Sequence, residues 1–415
     1  MDAPVEETRS TNEDDDHDDE REEEEERGEV WAWSWGAGTD GQLGTGAARD
    51  EHLPQPLSLN PLSSSASSHP LRVSRVACGG AHAVALTGDG RVLTWGRGIH
   101  GQLGHGELEN CLQPKPVQFF ESFTVCSVSA GWNHSGFVTD EGHLFMCGDN
   151  SFGQLGTGDN QSYNLPVEVL FFASKHVEQI ACGMRHTLAL VTGDLVYGFG
   201  SARHGQIGNS VSKPQKSCNL PEVIQGFGSC KIVGLFANGD HSAALTANGE
   251  LYIWGRGFSG ASNDLHPRLL HSSLRISQVA LGWHHAIVLA DGEVYMLGGY
   301  RHWAASGSHV VNPVRHQSVP SAPCAAVSDV RTLEKVSCLD GERVVQIAAG
   351  AEHSALLTER GKIMTWGWGE HGQLGLGNTD DQTFPQIVNI PNRRSFASTL
   401  GIYCGSGFTV VTKSA

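Results

Sequence analysis

Six histidines recur at equivalent positions of a short motif, which reads CGGAHAVAL in its first copy. The histidines are His82, His134, His186, His241, His285 and His353. Imidazoles from several repeats could bind a metal if they converged on one axis. Such sites also need second-shell partners, and no acidic residue recurs beside these histidines. Small neighbours, with Ser or Thr at the next position in most repeats, indicate a hydrogen-bonded packing residue. The motif therefore predicts a structural role and no metal site.

A second motif could be mistaken for a nucleotide site. The string GxGxxG begins at Gly36, Gly96, Gly255 and Gly367. A dinucleotide fingerprint needs a helix directly after these glycines, to receive the pyrophosphate. Here QLG, a further turn and a proline follow instead, so tight turns are predicted. The recurrent turn glycines are Gly41, Gly101, Gly153, Gly205 and Gly372. No nucleophile elbow, HExxH or P-loop is present, so neither a cofactor nor a catalytic residue is predicted.

The two motifs alternate along the chain and define the fold. WSWGAGTDGQLGTG recurs as WGRGIHGQLGHG, CGDNSFGQLGTG, FGSARHGQIGNS and WGWGEHGQLGLG, and two degenerate copies start at Trp254 and Leu297. Between the copies lie short β-rich runs such as RVLTW and KIMTW, separated by Gly, Asp and Asn turns. Repeats of several short strands are typical of propeller blades. The sequence predicts an all-β, seven-bladed β-propeller.

The order of the motifs predicts how the ring closes. The chain begins with a WG motif that lacks its histidine partner and ends with CGSGFTVV, which lacks its WG partner. If the two ends of the chain form one blade together, each of these motifs gains its missing partner. We therefore expect the strand at Val30 to Trp35 to pair beside Phe408 to Thr412. Such closure removes free sheet edges.

Composition divides the chain into two regions. Residues 1–29 hold 16 of the 45 acidic residues and three arginines, whereas the remainder is near neutral. We expect residues 1–28 to be a disordered acidic tail, because they have little apolar surface to bury. The tail would serve either solubility or a basic partner. Residues 29–415 would form the propeller, with a long insertion at 300–342. No leader or spanning segment is recognised, so a cytoplasmic or nuclear protein without a membrane span is expected.

The alternating GxxH(S/T)xxL and WGxGxxGQLG motifs resemble the regulator of chromosome condensation family over residues 29–415. The resemblance implies a propeller that binds a protein partner. One activity in the family is guanine-nucleotide exchange on a small GTPase, and the alternative is a non-catalytic binding scaffold. Chromatin-bound members use a basic tail, and phosphate contacts depend on Lys and Arg. Because this tail is acidic, no direct DNA binding is expected.

A third alternative is an ultraviolet-B photoreceptor, which in this family relies on adjacent tryptophans with arginine partners. The equivalent positions here are Gly80, Trp132, Met184, Gly239, Trp283, Ala351 and Ser406. The two tryptophans lie three blades apart, and the neighbouring arginine survives only at Arg185. No cluster of adjacent indoles is therefore expected.

Candidate partner-binding residues come from two places. Trp132 and Trp283 replace small residues at a blade-top position, where each would be either a partner anchor or a filler between blades. The insertion at 300–342 is the longest between repeats, and long loops on rigid scaffolds often carry function. Its candidate residues are Arg301, Arg315, Arg331 and Lys335.

Overall fold

The computed structural model describes residues 32–59, 72–208, 216–258, 263–299, 332–339, 341–391 and 399–414. In these ranges the chain forms seven four-stranded antiparallel sheets, which confirms the predicted seven-bladed β-propeller. Each blade carries one copy of each motif. The histidine, which Phe408 replaces in blade 7, opens the second strand, and the WG dipeptide or its equivalent closes the third.

The blades are numbered from the first complete repeat, and their strands are given in the order from the central channel outwards. Blade 1 contains β3 (Val73–Cys78), β4 (His82–Thr87), β5 (Val92–Gly96) and β6 (Cys111–Pro116). Blade 2 contains β7 (Val125–Ala130), β8 (His134–Thr139), β9 (Leu144–Gly148) and β10 (Tyr163–Glu168). Blade 3 contains β11 (Val177–Cys182), β12 (His186–Val191), β13 (Leu195–Ser201) and β14 (Ser217–Val223).

Blade 4 contains β15 (Ile232–Asn238), β16 (His241–Thr246), β17 (Leu251–Gly255) and β18 (Asp264–Leu269). Blade 5 contains β19 (Ile276–Leu281), β20 (His285–Ala290), β21 (Glu293–Gly298) and β22 (Glu334–Lys335). Blade 6 contains β23 (Val344–Ala349), β24 (His353–Thr358), β25 (Ile363–Gly367) and β26 (Gln382–Val388). Short 3-10 turns at Gln118–Phe120 and Leu170–Phe172 connect blades 1 to 2 and 2 to 3.

Blade 7 joins the two ends of the ring. Its strand order is β27 (Thr399–Cys404), β28 (Phe408–Ser414), β1 (Ala32–Gly36) and β2 (Glu51–Pro56). β1 and β28 pair antiparallel, with Ala32 opposite Thr412 and Gly36 opposite Phe408. The predicted closure between the two ends is therefore confirmed.

The ring has two faces with different loops. The loop after the channel-lining strand and the long WG loop lie at one end of each blade, here called the upper face. The hairpin turns between second and third strands, and the connections between blades, lie at the lower face. The second strand of a complete blade is buried along its whole length, as in His82–Thr87 and His353–Thr358. Apolar side chains of adjacent blades form the core between them.

The WG loops lock each blade onto the next. The indole N–H of Trp95 in blade 1 donates to the carbonyl oxygen of Gln42 in blade 7 at 2.9 Å, and Trp254 in blade 4 donates likewise to Gln206 in blade 3. The turn glycines make this close approach possible. Gly41 has φ of +83°, and a Cβ there would lie 2.6 Å from the Leu112 side chain of the next blade. Glycine adopts this backbone conformation without strain.

Candidate functional site

The repeated histidines form a buried belt of contacts between neighbouring blades. The Nε2 atoms of five histidines lie 2.9–3.1 Å from a Ser or Thr hydroxyl at the start of the next blade's second strand. The pairs are His82 with Ser135, His134 with Thr187, His186 with Ser242, His285 with Ser354, and His353 with Thr409. This arrangement explains the Ser or Thr that follows most of the repeated histidines.

The hydroxyls determine which ring nitrogen of each belt histidine carries the proton. Thr187 Oγ1 donates to the carbonyl oxygen of Gln154 at 2.7 Å, and three further hydroxyls of the belt donate to the equivalent Gln carbonyls. Because a hydroxyl has one proton, the histidine Nε2–H must be the donor to its oxygen. We call this histidine–hydroxyl–carbonyl chain the relay. It requires a neutral imidazole with its proton on Nε2.

Burial also favours the neutral imidazole. It lowers the pKa of His82, His186 and His353 to about 3. It lowers the pKa of His134 and His285 to about 4. Charging such a ring would remove a cation from water without a compensating partner. Among the described residues no group of three or more His, Cys, Asp or Glu side chains is arranged to hold a metal ion.

His241 departs from the belt because the next blade has Ala286 in place of the hydroxyl residue. Its Nδ1 lies 2.6 Å from the carbonyl oxygen of Arg256, and its Nε2 lies 2.5 Å from that of Trp283. The ring stacks on Phe258, with centroids 4.2 Å apart. Burial lowers the pKa of His241, and the two carbonyls and Asp240 oppose that effect. His241 thereby anchors the backbone of the Trp283 loop to blade 4.

Trp132 and Trp283 meet at the upper mouth of the central channel. Their ring centroids are 5.3 Å apart, with an angle of 47° between the ring planes. The backbone N–H of Trp132 donates to Gly183 O at 3.2 Å, and the backbone N–H of Trp283 donates to Ala351 O at 2.8 Å. Their separation by three blades does not keep the indoles apart, because both side chains reach inwards from opposite sides of the channel. Both are half-buried, so part of the pair faces solvent.

Glycines of the preceding blades leave room for the two indoles. A Cβ at Gly80 would lie 2.8 Å from the Trp132 ring, and a Cβ at Gly239 would lie 3.2 Å from the Trp283 ring. The large and small residues at this blade-top position are therefore complementary. The channel below the pair encloses about 540 Å³ and is lined by the innermost strands.

An arginine-rich surface lies on the same upper face, in the loops of blades 2 to 4. Arg185 and Arg203 both lie over the Phe152 ring, with guanidinium carbons 5.0 and 5.5 Å from its centroid. Arg256 lies 3.9 Å from the Asp240 carboxylate. All three arginines are exposed. Arginine and tryptophan are the residue types that contribute most often to binding energy at protein interfaces.

Of the other predicted partner residues, only Lys335 is described, and it does not join this surface. Lys335 lies on the outer strand of blade 5, where its Nζ is 2.6 Å from Glu293. Arg301, Arg315 and Arg331 lie outside the described residues, as does most of the 300–342 insertion. Part of that insertion, Glu334–Lys335, forms the outer strand of blade 5. No helix in the described part of the chain is long and apolar enough to cross a membrane.

The strand order, the ring closure and the two repeated motifs define a propeller of the RCC repeat class. A family model described as the RCC1-like domain matches residues 31–411. The chain therefore belongs to the RCC1-like domain family.

Similarity to individual proteins agrees with that assignment. The chain is 31% identical to the ultraviolet-B receptor UVR8 of Arabidopsis thaliana, over 85% of this chain and 76% of that protein. It is 29% identical to the secretion-regulating guanine nucleotide exchange factor of Bos taurus, over 90% of this chain and 81% of that protein. The crystal structure of human WBSCR16 superposes with a TM-score of 0.73 at 25% identity, covering 92% of this chain and 99% of that one.

Proposed function

We propose that this protein is a partner-binding propeller that acts as a guanine-nucleotide exchange factor or regulator of a small GTPase. The observation that carries the proposal is the upper face, where a half-buried indole pair and three exposed arginines lie on one rigid ring. The name of the bovine relative supports an exchange activity for this kind of chain. We also propose that the protein acts in the cytoplasm or the nucleus.

Such an activity needs no acid, base or cofactor of the propeller's own. An exchange factor binds the nucleotide-free GTPase more tightly than the nucleotide-bound form, and this difference drives nucleotide release. On this surface the indole pair would be the apolar anchor. Arg185, Arg203 and Arg256 would pair with carboxylates of the partner, which favours a fast and specific encounter.

A light-sensing function is not proposed, although one relative is an ultraviolet-B receptor. The residues that follow the two tryptophans are Asn133 and His284 rather than arginine, and the neighbouring blades have no tryptophan at this position. The seven blade-top positions therefore provide a single indole pair, Trp132 with Trp283. The alternative that we retain is a scaffold that binds its partner through the same face without exchange activity.

The test is release of a fluorescent guanine nucleotide from a panel of small GTPases, mixed with the full-length protein. We expect one GTPase to be accelerated, and the acceleration to be lost in W132A and in R185A/R203A. Lys335→Ala is the matched control, because Lys335 lies on the outer edge of blade 5. Binding of a GTPase without acceleration would favour the scaffold. Neither binding nor acceleration across the panel would overturn the small-GTPase proposal.

A further inference from the structure

A repeated glutamine bridge joins the channel-lining strands of neighbouring blades at three junctions. Gln179 in blade 3 donates from its amide nitrogen to Leu235 O at 3.1 Å, and its amide oxygen accepts from Leu235 N–H at 3.0 Å. Gln346 in blade 6 bridges to both backbone groups of Ile402 in the same way, at 2.8 and 3.0 Å. A third glutamine, Gln278 in blade 5, forms the same kind of bridge to blade 6. Because a primary amide is both a donor and an acceptor, one side chain satisfies a backbone C=O and a backbone N–H of the next blade.

Blade 1 has an arginine at the position of this glutamine. Arg75 is the third residue of its channel-lining strand, as Gln179 is in blade 3. By this equivalence Arg75 faces the backbone of Val128 in blade 2, which is the counterpart of Leu235. A guanidinium donates up to five hydrogen bonds and accepts none. Arg75 can therefore donate to Val128 O, but it cannot accept from Val128 N–H. This junction thus presents a cation and a backbone N–H donor side by side, which is an arrangement that suits an anion.

The remaining junctions have neutral residues at this position. Between blades 7 and 1 the Tyr403 hydroxyl hydrogen-bonds to the backbone of Val76 and takes the place of the bridge. Blades 2 and 4 have Ser127 and Gly234, which are both too short to form it. The space beside Gly234 is filled by the Phe236 ring, which a Cβ at that glycine would approach to 3.0 Å. A charged side chain therefore occupies this position in one blade of seven.

The channel around Arg75 contains no opposite charge to neutralise it. Of the described residues that line the channel, Arg75 alone is charged, and most of the others are Gly, Ala or aliphatic residues. Its side chain is exposed, so a ligand in the channel can reach it. The carboxylates of the lower face are not part of this lining; they include Asp89, Glu178, Asp194, Asp291, Glu342 and Glu359. A single sign of charge between apolar walls concentrates the electric field and attracts a counter-ion.

The shape of the channel determines how an anion would lie in it. Channel-lining strands run from the lower to the upper face, so Arg75 lies towards the lower mouth, whereas the Trp132–Trp283 pair lies at the upper mouth. Small residues line the wall between these two levels, and they include Ala77, Ala130, Ala181, Ala280 and Ala348. The enclosed volume of about 540 Å³ lies within the range of small-molecule sites. A ligand that enters from below would therefore place its charge at Arg75 and an apolar body beneath the indoles.

We propose that the channel binds a small organic molecule that has one carboxylate and an apolar body. The carboxylate accepts hydrogen bonds from the Arg75 guanidinium and from the N–H of Val128. The apolar body lies against the small residues of the innermost strands, below the indole pair. Charge-assisted hydrogen bonds of this kind are stronger than those between neutral groups. This inference is independent of the proposed GTPase partner, which would bind outside the channel on the upper face.

The experiment measures binding of hexanoate, phenylbutyrate and naphthoate to the full-length protein by ligand-observed NMR, each beside its neutral amide. We expect at least one of the three acids to bind at millimolar concentration or below, and its amide to bind about tenfold more weakly. Arg75→Gln should weaken binding of that acid by about tenfold as well, because the charged donor is lost. Arg72→Gln is the matched control. It removes the same charge from the lower face, but Arg72 does not line the channel, so binding should not change.

A second measurement tests the bridge itself without any ligand. In Arg75→Gln the new amide can form with Val128 the bridge that Gln179 forms with Leu235, so the variant should unfold at the same urea concentration as the unmodified protein or at a higher one. A lower urea midpoint would contradict the equivalence of the two positions and overturn the proposal. Binding of none of the three acids, equal binding of acids and amides, or equal weakening by Arg75→Gln and Arg72→Gln would also overturn it.

Discussion

Thr187→Val tests the relay between blades 2 and 3. The threonine is fully buried, accepts from His134 Nε2 at 3.0 Å and donates to Gln154 O at 2.7 Å. Valine keeps the shape of the side chain, so no cavity forms. The substitution removes the hydrogen bond to Gln154 O, worth about 1 kcal/mol. It also removes the bond from His134, which leaves that N–H buried without an acceptor and costs about 1–3 kcal/mol more. We expect the free energy of unfolding to fall by about 2–4 kcal/mol.

Thr365→Val is the matched control for this prediction. Thr365 is also fully buried and donates to a backbone carbonyl, Leu374 O at 2.6 Å, but its hydroxyl makes no contact with a belt histidine. Loss of the Thr365 hydroxyl should lower the free energy of unfolding by about 1 kcal/mol. Urea unfolding followed by tryptophan fluorescence measures both variants. Equal losses for Thr187→Val and Thr365→Val would show that the histidine contributes nothing, and the relay would be refuted.

Three further predictions concern the belt, the closure and the indole pair. The folded-state pKa values of the belt histidines lie well below the unfolded value of about 6.5, so protons bind preferentially to the unfolded chain. The free energy of unfolding should therefore fall as the pH drops below about 6.5 and keep falling to about pH 4. A melting temperature that does not change between pH 7 and pH 4.5 would contradict this prediction. Deletion of residues 406–415 removes β28 and should abolish the folded circular-dichroism spectrum, whereas deletion of residues 1–28 leaves β1 in place and should preserve it. W132A and W283A should each abolish the same near-ultraviolet circular-dichroism signal, because it arises from the contact, and additive changes in the double variant would rule the contact out.

Much of the architecture could be predicted from the sequence, because each blade repeats the same local chemistry. The WG dipeptide marks the end of a third strand, and the orphan motifs at the two ends identify the closing blade. The relay left a signal as well: a Ser or Thr follows most histidines, and Ala286 marks the blade junction where His241 turns to backbone carbonyls instead. Such signals are local, so they can be read along the chain.

The pairing of Trp132 with Trp283 could not be predicted in the same way. A repeat period gives the angular position of a residue around the ring but not the width of the channel, and only that width decides whether two indoles meet across it. The arginines around Phe152 pose a similar problem. Arg185 belongs to the histidine motif and Arg203 to a WG loop, and their convergence on one ring depends on the packing between two blades.

The closing blade also determines when the protein can fold during synthesis. β1 precedes every other strand of the ring along the chain, whereas its partner β28 is the last of the ring's strands to be translated. At about 5–20 residues per second, β1 must wait roughly 20–80 s for that partner. During this interval one strand edge of the nascent ring has no partner, and such edges promote aggregation. The same pairing that closes the finished ring therefore makes the growing chain depend on protection until β28 emerges.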